Sequence, residues 1–91
     1  MIQHEDLYID FIGQRGVGSK DRVASSPASY VSYLRSVSRL LGSDITPEVL
    51  RSELDVRGIA RRLDGKKAPK TIRNYNSAMR QYVAMVEARR L

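Results

Sequence analysis

Apolar residues recur at steps of three and four at Ile72, Tyr75, Met79, Tyr82, Val83 and Val86. That period places them on one stripe and predicts an α-helix from Thr71 to the C-terminus. The opposite side of the same helix carries Lys70, Arg73, Asn74, Ser77, Arg80 and Gln81, almost all long polar or cationic donors. Earlier in the chain, Leu7, Tyr8, Phe11 and Ile12 share a helical spacing, with Glu5 and Asp6 in the first turn where carboxylates suit the positive end of a helix dipole. They predict a short N-terminal helix within residues 1–12, closed at Gly13 and followed by a Gly/Ser-rich loop over 13–26.

Ser26-Pro27 is a helix start, a hydroxyl cap followed by a proline whose missing N–H costs nothing in the first turn. From there Tyr30, Val31, Leu34, Val37, Ser38 and Leu41 form one face, and Gly42 supplies the stop. The other face holds Ser32, Arg35, Ser36 and Arg39. Thr46-Pro47 repeats the start signal and predicts a third helix to about Leu54, with Val49, Leu50 and Leu54 packing. Asp55 reads as a fresh cap for Val56 to Leu63, with Arg57, Arg61 and Arg62 outward, so that two helices or one bent helix fit equally. No run of alternating β-branched residues predicts a strand. The expected fold is all-α, a small bundle of four to five helices, its core in residues 27–91.

At 91 residues the chain makes one domain with a single core and little surplus stability. It has no cysteine, hence no disulfide framework or thiolate metal site, and a reducing compartment such as the cytoplasm is expected. No stretch nears the roughly 18 apolar residues of a membrane span, and acids stand where a signal peptide would carry cations. The final residues Arg89, Arg90 and Leu91 follow the helical pattern with no glycine or proline to stop it, which suggests a piece of a longer protein.

Charge changes this picture most. Residues 1–65 hold nine cations and nine acids, whereas 66–91 hold seven cations and only Glu87, so the net +6 falls on the last helix and the loop before it. A basic excess on one element is the electrostatic footprint of a polyanion-binding surface. Lys66, Lys67 and Lys70 cluster at a helix N-terminus, where backbone N–H groups already favour phosphate. The Arg/Ser stripe of the helix from Pro27 offers the same chemistry. Phosphate contacts of this kind set affinity and carry little sequence information, while Asn74 and Gln81 are the residue types that read adenine in a major groove.

Catalysis finds little material. Gly13 to Lys20 lacks P-loop spacing, since Ser19 follows Gly18 where the motif requires lysine, and no strand precedes it. His4 is the only histidine, which rules out a His/His metal pair or a Ser-His-Asp triad. Glu5, Asp6 and Asp10 are explained by dipole and solubility, and Tyr30, Tyr75 and Tyr82 by packing. No enzyme activity, cofactor or metal is expected of this chain.

Residues Ala68 to Tyr82, with Thr71, Tyr75, Ser77-Ala78, Arg80 and Tyr82 in register, resemble the helix that closes the core-binding domain of phage integrases and other tyrosine recombinases. Ser29 to Leu34 resembles that domain's tyrosine-bearing early helix, and the likeness spans roughly 26–86. It implies a SAM-like bundle of two crossed helical hairpins that clamps one side of double-stranded DNA, with a separate C-terminal domain of the parent chain as the catalytic partner. By position it implies backbone contacts from Lys70, Thr71, Arg73, Ser77 and Arg80, and from Arg35 and Arg39. The acidic first helix and the glycine-rich loop depart from the family pattern. Two alternatives stand beside it: an accessory DNA-recognition domain of a restriction or other mobile-element enzyme, and a protein-interaction or dimerisation module using the apolar stripe as far as Val86.

Overall fold

The computed structural model describes residues 1–15 and 27–91. Four helices form: α1 (Glu5–Arg15), α2 (Pro27–Leu41), α3 (Glu53–Leu63) and α4 (Pro69–Arg89). Among the described residues there is no strand, only single bridges at Ile2–Ile45 and Asp64–Lys67. The fold is a small all-α bundle, as the apolar periodicity predicts. The expected loop at 16–26 and its Ser26 cap lie outside the described residues.

α4 is the axis of the bundle, and α1, α2 and α3 all pack on it. Its 21 residues span about 31 Å at 1.5 Å per residue, nearly the longest dimension of the molecule, 34 Å. Three neighbours require a wider buried arc than one partner would. Tyr75, Ala78, Met79, Tyr82, Val83, Met85 and Val86 are all buried. So is Ser77, at 8 % exposure, which removes it from the cationic face on which its helical phase placed it. Val86 is 2 % exposed, so the apolar stripe is buried within the bundle as far as that residue.

The helix ends follow local chemistry. α2 closes on Gly42 at φ 71°, where the Ser43 N–H reaches the Ser38 carbonyl at 3.3 Å and the Gly42 N–H the Arg39 carbonyl at 3.2 Å. This left-handed cap is why glycine stands there. α4 closes by the same pattern on Arg90 at φ 54°, with the Leu91 N–H on the Val86 carbonyl, rather than running in helical phase to the last residue. Gly13, by contrast, does not end α1, which continues to Arg15. A glycine weakens a helix by about 1 kcal/mol but stops it only where it turns left-handed, and packing of Tyr8, Phe11 and Ile12 outweighs that weakness.

The predicted helix from Pro47 to Leu54 is a single turn. Val49 and Leu50 donate to the Thr46 carbonyl, but a continuing helix would then need the amides of Arg51 and Ser52. Both are taken by the Asp55 carboxylate, at 2.8 and 3.2 Å. Side-chain capture of this kind competes with the backbone ladder. It starts α3 at Glu53 with Ser52 as cap and Asp55 at its third position, not as the cap itself. Leu50 is fully buried as a result, whereas Leu54 faces out at 76 % exposure instead of packing.

Two tyrosines join the ends of the chain. The Tyr8 hydroxyl donates to the Ala78 carbonyl at 2.8 Å, and the Tyr82 hydroxyl to the Gln3 carbonyl at 2.9 Å, with the two rings 5.8 Å apart. Burial, with the Tyr30 phenol adding to it, pushes the Tyr8 pKa far up, and burial together with the Glu48 carboxylate pushes Tyr82 up to about 12. Both phenols therefore stay protonated donors at neutral pH. Tyr82→Phe removes only the hydroxyl and is expected to cost about 1 kcal/mol at neutral pH. A raised folded pKa means that the unfolded chain ionises first, near 10, so wild-type stability falls from there towards pH 12 while the variant is spared that loss. Urea midpoints measured across that window should show the gap between the two narrowing as pH rises; a constant gap would contradict the account.

Candidate nucleic-acid interface

α3 ends at Leu63, fully buried, and the chain turns through Asp64-Gly65-Lys66-Lys67 before α4. Gly65 makes the turn possible at φ 84°, and the Lys66 N–H closes it on the Leu63 carbonyl at 2.9 Å. Anchored by Leu63 on one side and by the packed length of α4 on the other, the turn projects Lys66 and Lys67 outward. α4 begins with Ala68 as cap and Pro69 next; no side chain caps this end. The amides of Lys70 and Thr71 in the first turn thus have no intrahelical acceptor and point with the helix dipole towards the same side as the lysines.

The last turn of α3 adds Arg61 and Arg62. Residues 56–73 contain Arg57, Arg61, Arg62, Lys66, Lys67, Lys70 and Arg73 against Asp64 alone, while the remaining nine of 16 cations and nine of ten acids balance. The whole net charge of +6 sits at this corner. Among the described residues Arg61, Arg62, Lys66, Lys67, Lys70 and Arg73 form no ion pair, and all are exposed. Three cations elsewhere are paired with acids: Arg35 meets Glu5 at 2.9 Å, Arg80 meets Glu53 at 3.3 Å and Arg89 meets Asp10 at 3.6 Å. Such surface pairs contribute little stability, but each neutralises a charge locally.

Of the residues proposed from sequence, Lys66, Lys67, Lys70 and Arg73 come together at this corner, with Thr71 half-buried behind them and Asn74 half-buried one turn on. Ser77 is buried, and Arg80 gives its Nε to both oxygens of Glu53, at 3.3 and 3.4 Å. Arg35 is likewise bound to Glu5, and Arg39 donates to the Ser36 hydroxyl at 3.1 Å, so the second stripe on α2 is not a free guanidinium surface. Gln81 is half-buried and engaged. Arg57 and Arg61 are outward-facing on α3, as their spacing predicts, and stand outside the surface expected from sequence. They line one open cleft with Arg73, about 440 Å³ in volume, whose floor is Ala60, Pro69 and Ile72 and whose single acid is Asp64. A charge window centred on 56–73 rather than on the last helix would have found them.

No group of three or more histidine, cysteine or acidic side chains is placed to hold a metal among the described residues, and no helix is long and apolar enough to cross a membrane. No family model, curated protein or solved structure matches the chain.

Proposed function

We propose that this chain is a non-catalytic domain that binds double-stranded DNA by its phosphate backbone, through the end of α3, the 64–68 turn and the start of α4. The observation that carries the reading is the corner of six exposed cations without acid partners among the described residues, set beside an uncapped helix N-terminus. The all-helical bundle and the resemblance of α4 to the closing helix of the tyrosine-recombinase core-binding domain agree with it. In that setting a further domain of the parent chain would cut DNA, and this one would hold it. Relative to the sequence-derived surface, the proposed one moves from the length of α4 and α2 to one end of the α3–α4 pair.

Titration of a duplex at rising salt tests the reading. Each phosphate neutralised contributes a slope of roughly −0.9 in log K against log salt. Lys67→Ala or Arg73→Ala should flatten the slope by about one unit, whereas Arg80→Ala, whose charge Glu53 already meets, should change it by less than half as much. Equal effects at Arg73 and Arg80, or no binding at low salt, would count against the proposed surface.

A further inference from the structure

The cations of the basic corner are not equivalent. Lys66, Lys67 and Lys70 stand exposed on the turn and the first helical turn of α4. Arg57, Arg61 and Arg73, from two helices, instead line one open cleft of about 440 Å³ with an aliphatic floor, within the size range of small-ligand sites. Asp64 lines the same cleft, yet among the described residues no guanidinium pairs with it. Arg57 is held only loosely, its Nε 3.7 Å from a Glu53 carboxylate that Arg80 also shares.

We propose that this cleft seats a single backbone phosphodiester of bound DNA, the three guanidinium groups taking its anionic oxygens and Ala60, Pro69 and Ile72 taking the adjoining deoxyribose. The inference rests on the DNA-binding reading and adds to it a distinct registering contact. A phosphodiester is the part of DNA that joins two charged oxygens to a C–H-rich ring, which matches a charged rim over an apolar floor. Guanidinium forks fix the orientation of such a group by paired hydrogen bonds, whereas ammonium groups act as point charges that attract without orienting. The turn lysines therefore raise encounter and affinity, and the cleft sets where along the strand the domain sits.

Charge-preserving variants separate the two roles. Arg61→Lys with Arg73→Lys should weaken duplex binding about tenfold, because the forks are lost, with the salt slope unchanged because no cation is removed. Ala60→Leu fills the floor without altering charge or helix propensity and should weaken binding similarly, with an unchanged thermal midpoint. Lys67→Arg should be silent. In an NMR titration with the dinucleotide thymidylyl-thymidine, which carries one phosphodiester, the amides of Ala60, Ile72 and Arg73 should shift. Wild-type duplex affinity in the cleft variants, or dinucleotide shifts confined to 66–70, would overturn the cleft assignment and leave the DNA reading standing. Equal cleft shifts from a glutamate-rich peptide would overturn it in favour of a protein partner. Failure of the wild-type chain to bind any duplex at low salt would overturn both.

Discussion

Lys66→Glu, Lys67→Glu and Lys70→Glu introduced together are expected to abolish duplex binding while the bundle stays folded. All three side chains are exposed and without ion pairs among the described residues, and reversing them takes the net charge from +6 to zero. Lost phosphate contacts and new repulsion together should lower affinity about a hundredfold or more at moderate salt. The fold should not suffer, because a carboxylate at position 70 lies in the first turn of α4, where it is favoured by the dipole. Fluorescence anisotropy with a labelled duplex, run beside a thermal melt, reads both quantities. Retained binding with an intact melt would remove the 64–70 region from the interface.

The second large effect is structural. Leu63→Ala empties a fully buried site at the point where α3 gives way to the basic turn, and buried leucine truncations cost about 2–5 kcal/mol. Against a total of roughly 5–15 kcal/mol for a domain, that is enough to leave a substantial unfolded fraction at moderate temperature. Leu54→Ala, nine residues earlier in the same helix and 76 % exposed, should cost less than about 0.5 kcal/mol. Urea unfolding of both variants checks the contrast. A similar cost at the two positions would mean that α3 is packed on its other face.

That contrast also marks what the sequence makes legible. The apolar period identifies α2 and α4, and Pro27 and Gly42 are visible as start and stop because each acts through its own backbone. The break between Leu50 and Glu53 is not visible, since the Asp55 carboxylate can cap either of two helices on spacing alone, and only the folded chain shows it holding the amides of Arg51 and Ser52. Ser77 is misassigned for a related reason: periodicity gives the phase of a buried arc but not its width, and three helices on α4 widen it. At the basic surface the concentration of charge is legible and its partners are not. Glu53 reaches Arg80 across 27 residues and Glu5 reaches Arg35 across 30, pairings made by the packing of helices that no local spacing reports. Arg57 and Arg61 join the surface by the same packing, brought beside Arg73 when α3 lies against α4.

The reciprocal phenol contacts have an effect on how the molecule comes apart. Tyr8 bonds a carbonyl 70 residues away and Tyr82 one 79 residues away, so the two extremities of the chain latch each other. Contacts of such sequence separation carry a large loop-closure cost and reward the fold only once the intervening helices are in place. Neither extremity can therefore peel away without releasing the other, and amide exchange at Gln3 and at Ala78 should proceed through one shared opening event. The cationic turn supplies no group to either latch and is free to vary its charges without loosening that closure.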